Sequence, residues 1–155
     1  MATLSRIGRW TLLGASGALL VAMTLLTVVD VVGRYVFNAP LPGAFEATEI
    51  MLALAIFAGL PIVTARRDHV RVGLVVDRLP AGAQKVVGAI SDLLVAALLL
   101  GAAILLFDQG EGLARFGDTT VLLRIKLAPV AYALSLLCAV SALVAAVRFV
   151  DRLRR

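Results

Sequence analysis

Residues 40–69 decide the fold of this chain, and they read PLPGAFEATEIMLALAIFAGLPIVTARRDH. Two carboxylates, Glu46 and Glu49, precede sixteen uncharged residues, and the basic pair Arg66-Arg67 follows them. Sixteen residues of helix rise about 24 Å, which is short of the roughly 30 Å hydrocarbon core of a bilayer, so the helix needs the turns around the carboxylates to cross. The stretch therefore predicts an oriented transmembrane helix, with Glu46 and Glu49 near one interface and both arginines at a lipid surface.

The composition is that of an integral membrane protein. Hydrophobic residues make up 61% of the 155 residues and the mean hydropathy is +1.01, whereas a soluble domain is roughly 45–50% apolar. Four long apolar runs predict a single all-α membrane domain, residues 1–155, with spans at about residues 10–32, 43–65, 84–107 and 127–149. The first run has twenty uncharged residues, more than the roughly 7 to 15 of a signal-peptide core, so we expect it to be retained.

The positions of the basic residues predict the orientation. Eleven of the fifteen Lys and Arg residues lie on one side, before span one, from the end of span two to the start of span three, or from the end of span four onward, and the other four lie on the opposite side. The positive-inside rule therefore places both termini in the cytoplasm. The bases form no compact patch with interleaved aromatic residues, so we read the net charge of +5 as a topology signal and expect no nucleic-acid partner.

A short interfacial helix is predicted between spans two and three. Val72, Val75, Val76 and Leu79 follow the i, i+3, i+4, i+7 spacing of an apolar helix face. A helix of this kind lies on the membrane surface in contact with lipids. His69 precedes it, and we interpret this residue as an interfacial hydrogen-bonding group, with a ligand or a proton relay as the alternative.

Arg34, Glu46 and Glu49 are candidates for contacts at the opposite interface. The glutamates lie three residues apart in the first turns of their helix, where the helix dipole favours negative charge. They are either a solvated helix start or partners for a cation, and we predict a pair between Arg34 and one of them. Asp30, four residues before Arg34 on the same helix face, is also able to pair with it.

Asp92 is the one ionisable residue well inside an apolar run. An acid within a membrane span is a functional hypothesis by default. The structural alternative is an ion pair with Lys85, two turns earlier on roughly the same helix face, in which the lysine snorkels to the interface. Both interpretations stay open at this point.

Several kinds of chemistry lack their residues in this sequence. The chain has one histidine, His69, and one cysteine, Cys138, so a single copy cannot supply paired haem ligands or a reactive thiol pair. No phosphate-binding Gly-Lys-Ser/Thr loop and no metal-ligand spacing is present, so we expect neither cofactor nor metal and do not expect an enzyme. Two classes remain, an auxiliary subunit of a membrane complex and a small ion-coupled transporter that uses Asp92, Glu46 or Glu49.

Short motifs run through the chain in a fixed order. They are GRYVFN at residues 33–38, the glutamates Glu46 and Glu49, ARRDHVRV at 65–72, DRLP at 77–80 and TVLLRI at 120–125, ahead of Pro129. Together they resemble the small membrane subunit of tripartite ATP-independent periplasmic (TRAP) transporters, the DctQ-like family. The chain departs from the family pattern at Gly43-Ala44-Phe45-Glu46, where many members have Trp and paired acids, and at Gly73, where many have Asp.

The resemblance implies a multi-pass protein of the bacterial inner membrane. It implies a large permease subunit of about a dozen spans, which carries an organic acid and sodium by an elevator motion. It also implies a soluble periplasmic protein that captures the substrate. The small subunit is then expected to be a non-catalytic scaffold that anchors the fixed part of the large one, whereas the alternative remains a small transporter that works alone.

The orientation is tested by fusing alkaline phosphatase after Asp118 and, separately, after Arg78. The enzyme is active only outside the cytoplasm, so we expect activity from the Asp118 fusion and none from the Arg78 fusion, because basic residues are concentrated around Arg78. The opposite pattern of activities would overturn the predicted topology.

Overall fold

The computed structural model describes residues 6–66 and 80–154, which contain four α-helices. The helices are α1, Arg6–Val36; α2, Ala44–Arg66; α3, Ala81–Phe116; and α4, Leu127–Leu153. Each is long and apolar enough to cross a membrane, which confirms the all-α fold with four spans. Arg67, His69 and the predicted interfacial helix lie outside the described residues.

The turn between α1 and α2 is tight and well bonded. The carbonyl of Gly33 accepts hydrogen bonds from the amides of Phe37 (3.2 Å) and Ala39 (2.9 Å). Gly43 then adopts a φ of +78°, a backbone conformation that glycine reaches without strain. A Cβ at Gly43 would lie 2.5 Å from Cγ of Leu123, so the glycine also lets the loop between α3 and α4 approach the start of α2.

Helix α3 extends further than the sequence predicts. The sequence predicts a span that ends near Phe107, whereas the helix continues to Phe116. Gly110 favours a loop in sequence terms, but a Cβ there would lie 2.7 Å from Cε1 of Tyr132 on α4, so its role is close packing. Gly117, with a φ of 68°, ends the helix in the left-handed conformation typical of a glycine cap.

The four helices are arranged as an open row. In the described ranges, extensive contacts between helices join α1 to α2, α2 to α4, and α4 to α3. The order across the row is therefore α1, α2, α4, α3, and α4 lies between two neighbours. Helix α1 lies at one edge, and its apolar side chains are largely exposed.

Small side chains line the inner contacts of the row. The buried residues of α4 are Ala128, Ala131, Ser135, Cys138, Ser141, Ala142, Val144 and Ala145. Small residues let helix backbones approach closely, which is the main source of packing energy between helices in lipid. The hydroxyl of Ser135 adds an interhelical hydrogen bond by donating to the carbonyl of Ala103 on α3 at 2.7 Å. The row is thus held by close backbone packing and by a few polar contacts.

Candidate functional site: polar junctions at the two ends of the row

The most buried charged group in the described chain is Asp92 of α3, which is 8% exposed. Arg152 of α4 contacts Oδ2 of Asp92 with both Nε and Nη2, each at 2.9 Å. Arg148, one turn earlier on α4, contacts Oδ1 from Nη2 at 3.2 Å. Both carboxylate oxygens are therefore paired with guanidinium groups, which offsets the cost of placing the charge in a span.

Arg148 connects this ion pair to a third helix. Its Nη1 donates a hydrogen bond to the carbonyl of Thr64, in the last turn of α2. Carbonyls in the last turn of a helix lack donors within the helix, and the negative end of the helix dipole favours a cation there. Thr64 is fully buried, so the arginine supplies a donor where water is excluded. Asp92, Arg148, Arg152 and the Thr64 carbonyl thus join α2, α3 and α4, and we call them the Asp92 junction.

Gly88 makes room for the Asp92 junction. It lies one turn before Asp92 on α3, and a Cβ built on it would overlap the guanidinium group of Arg152. The guanidinium therefore lies directly over the α3 backbone. Any larger residue at this position would have to displace Arg152 from Asp92.

The sequence identified Asp92 but not its partners. The expected partner was Lys85, whose side chain is not among those described, whereas both oxygens of Asp92 contact arginines of α4. In the sequence, Arg148 and Arg152 are two of the basic residues at the end of span four that indicate its orientation. One signal was available: two arginines four residues apart, on one helix face, lie at the end of a span next to the span with the buried acid.

A second polar junction lies at the opposite end of α2. The two carboxylate oxygens of Glu46 accept hydrogen bonds from the amides of Leu122 (2.9 Å) and Leu123 (3.0 Å), in the loop between α3 and α4. The side chain of Leu123 lies against Gly43, so a polar and an apolar contact hold the same loop. We call this contact the Glu46 junction. The two junctions fasten the row at both ends.

The expected pair between Arg34 and a glutamate is wrong. Arg34 contacts Asp30, one turn earlier on α1, with 2.9 Å between Nη2 and Oδ2. Asp30 also accepts a hydrogen bond from the amide of Leu41 at 2.8 Å, so it fixes the start of the next turn. The carboxylate of Glu46 accepts hydrogen bonds from loop amides, and the side chain of Glu49 is exposed. Arg34 and Glu46 thus each bind a partner other than the one expected.

The remaining candidate residues add no chemical site in the described part of the chain. Arg66 is the last residue of α2, and its side chain is not among those described. No group of three or more His, Cys, Asp or Glu side chains within residues 6–66 and 80–154 is placed to hold a metal ion. The contacts at both junctions are structural. The Asp92 junction joins helices through charge pairs and a backbone carbonyl, and the Glu46 junction joins a helix to a loop through backbone amides.

Comparison with known proteins points to one family. A family model described as "Tripartite ATP-independent periplasmic transporters, DctQ component" matches residues 23–155. The chain is also 36% identical over 64 residues to the C4-dicarboxylate TRAP transporter small permease protein DctQ of Vibrio cholerae. That alignment covers 41% of this chain and 28% of the relative, so it spans less than a third of the relative's length.

The role of Gly88 is tested by the substitution Gly88→Ala. The added methyl group displaces Arg152 from Asp92. The loss of one of two charged partners of a buried carboxylate lowers the free energy of unfolding by on the order of 1–3 kcal/mol. We expect a matching loss of stability, measured by unfolding the purified protein in mixed micelles with increasing SDS. In an Arg152→Ala background the same substitution should cost little, because the displaced group is already gone.

The matched control is Gly101→Ala in the same helix, where a Cβ would have nothing within 4 Å. It should leave stability unchanged or raise it slightly, since alanine favours a helix over glycine. Equal losses from Gly88→Ala and Gly101→Ala would contradict the proposed clash.

The Glu46 junction is tested by Glu46→Gln, which removes the charge and one of the two acceptor oxygens. We expect faster hydrogen exchange at the amides of Leu122 and Leu123, measured by mass spectrometry or NMR on the protein in nanodiscs. Glu49→Gln, three residues later and exposed, is the control and should leave these rates unchanged. If both variants exchange like the parent protein, the carboxylate does not hold the loop.

Proposed function

We propose, since this chain belongs to the DctQ family of tripartite ATP-independent periplasmic transporters, that it is the subunit that anchors the fixed part of the large permease. It is a multi-pass protein of the inner membrane and a small-subunit component of a TRAP transporter. We propose its role as a scaffold, the subunits with which it assembles and the class of substrate that the complete transporter carries. It has no catalytic step of its own in this scheme.

The observation that carries the proposal is the open row of helices. A row has two broad faces and two edges, so its apolar side chains point outward, towards lipid or another protein. Helix α1 at one edge has large exposed apolar residues along its length, and a Cβ at Gly14 or Gly17 would meet nothing within 4 Å. Such positions allow a helix of another protein to pack closely. A static partner for a larger membrane protein needs surfaces of this kind.

The condition of the buried acid argues against a transporter that works alone. A proton or sodium carrier needs a carboxylate that can give up its partner during each cycle. Asp92 is contacted through both oxygens by Arg148 and Arg152, and Arg148 is fastened in turn to α2. Glu46 is likewise occupied by two amides of the loop. The contacts of these two carboxylates therefore favour a structural role over a role in ion coupling.

The substrate of the complete transporter is proposed to be an organic acid. The Vibrio cholerae relative is named for C4-dicarboxylates, and the family resemblance implies that the large subunit and the periplasmic binding protein select the substrate. A scaffold leaves that selection to its partners. Two partners follow from the proposal, the large permease in the membrane and the soluble binding protein outside it.

The proposal is tested by reconstitution into proteoliposomes under an inward sodium gradient, with labelled succinate as a C4-dicarboxylate probe. The small subunit alone should accumulate no probe, and it should co-purify with the large permease as a stable complex when the two are expressed together. Adding the permease and the binding protein should produce uptake.

The outcomes separate the two functions. Uptake by the small subunit alone, abolished by Asp92→Asn, would replace the scaffold with the small-transporter alternative. A stable complex that takes up a different organic acid but not succinate would keep the scaffold and change the substrate. Failure to form a complex with the permease would remove the scaffold.

A further inference from the structure

An exposed apolar turn lies in the loop between α3 and α4. It consists of Val121, Leu122, Leu123 and Ile125, and we call it the apolar turn. Val121 is 87% exposed and Leu122 is 64% exposed. Turns in water are usually built from glycine, proline and small polar residues, so four branched aliphatic residues within five positions need an apolar environment.

The apolar turn is held in one conformation. The amide of Thr120 donates to the carbonyl of Ile125 at 3.0 Å, and the amide of Ile125 donates to Oγ1 of Thr120 at 3.1 Å. Arg124 supports the reversal with a φ of 53°. Glu46 fixes the amides of Leu122 and Leu123. The exposed side chains are therefore displayed by a bonded turn, and their exposure is a property of the fold.

The Glu46 junction sets the depth of the apolar turn in the membrane. Glu46 lies four residues before the uncharged run that starts at Ile50, about 6 Å along the helix axis. That run is about 6 Å shorter than the hydrocarbon core, so the core extends about 3 Å beyond each of its ends. Glu46 and the turn bonded to it thus lie about 3 Å outside the hydrocarbon, in the headgroup layer.

Two other features mark the same level as an interface. Tyr35, Phe37 and Phe45 are 82%, 72% and 81% exposed at this end of the row, and aromatic side chains collect at membrane interfaces. Arg124, within the turn, and Lys126, directly after it, are exposed. Both can contact lipid phosphates. Apolar tips with basic flanks are the pattern of a segment that inserts into a lipid surface.

We propose that the apolar turn is a second membrane contact of this protein, a loop that inserts Val121 and Leu122 among the lipids of the leaflet on the Glu46 side. Glu46 acts as its positioning residue, because it holds the turn at headgroup depth. The occupant of the surface is the lipid bilayer itself. This inference concerns lipid contact and does not depend on which permease or substrate the transporter uses.

The test measures depth by tryptophan fluorescence. In a Trp10→Phe background, Leu122→Trp is placed in nanodiscs whose lipids carry bromine either near the headgroup or deep in the acyl chains. We expect blue-shifted emission and stronger quenching by the shallow bromines than by the deep ones. Val121→Trp, at the more exposed neighbouring position, gives a second reading if Leu122→Trp does not fold.

One matched position and one free reference calibrate the depth. Leu98→Trp, at an exposed site in the middle of the α3 span, should be quenched most by the deep bromines. Free N-acetyl-tryptophanamide added to the same nanodiscs, which stays in water, should be quenched several-fold less by either lipid. Leu122→Trp should lie between them, and adding Glu46→Gln should weaken its quenching where Glu49→Gln does not.

Two outcomes overturn the proposal. Emission from Leu122→Trp and Val121→Trp as red-shifted and as weakly quenched as that from free N-acetyl-tryptophanamide would place the turn in water. Quenching in nanodiscs of the small subunit that disappears when the large permease is bound would assign the turn to the permease. Quenching that persists in the bound complex supports the lipid contact.

Discussion

The structure depends on the pairing of one carboxylate that the membrane would otherwise exclude. An unpaired ionised group in a span costs several kcal/mol, so Asp92 is tolerated only where cations meet it. The cations come from α4, and one of them also serves the last turn of α2, so a single acid determines how three helices are aligned. In an open row with little enclosed interior, that alignment cannot be left to hydrophobic burial, because lipid tails solvate apolar faces equally well.

The sequence predicted the fold well and the site only in part. Four spans follow from hydropathy alone, because hydrocarbon admits only helices and closed barrels, and apolar runs of this length fit helices. Hydropathy also singled out two acids, Asp92 inside an apolar run and Glu46 just before one. Their partners did not stand out, since the sequence shows which residues lie near each other along a helix and not which helices are neighbours. Arg34 was the nearest cation to Glu46 in the sequence, whereas Glu46 contacts loop amides, and Asp92 contacts Arg152, sixty residues away.

Glycine illustrates the same limit. Gly43, Gly88 and Gly110 each lie where a side chain from another segment rests on the backbone, and the residues that rest there are Leu123, Arg152 and Tyr132. Gly101 and Gly112 have open space around them. Nothing in the local sequence separates the two groups, and Gly110 beside Gly112 even favours a loop where the structure has helix. Only the packing shows which glycines admit a neighbour, and these are the positions where an added methyl group would disturb the row.

The distribution of polar contacts also fits the proposed role of this row, which has no enclosed core, as a support for a larger membrane protein. Charged and backbone groups join the helices at the Asp92 and Glu46 junctions, which lie towards opposite ends, and the middle is held by close contact of small residues such as Ser135 and Ala103. Thr24, Thr27 and Ser91, which are exposed along the spans, donate their hydroxyls to carbonyls of their own helices, so a partner would meet few unpaired donors there. A moving substrate carrier exerts force on whatever anchors it. In the proposed role as an anchor, charge pairs at the Asp92 junction and carboxylate–amide hydrogen bonds at the Glu46 junction would resist that force without a rigid interior.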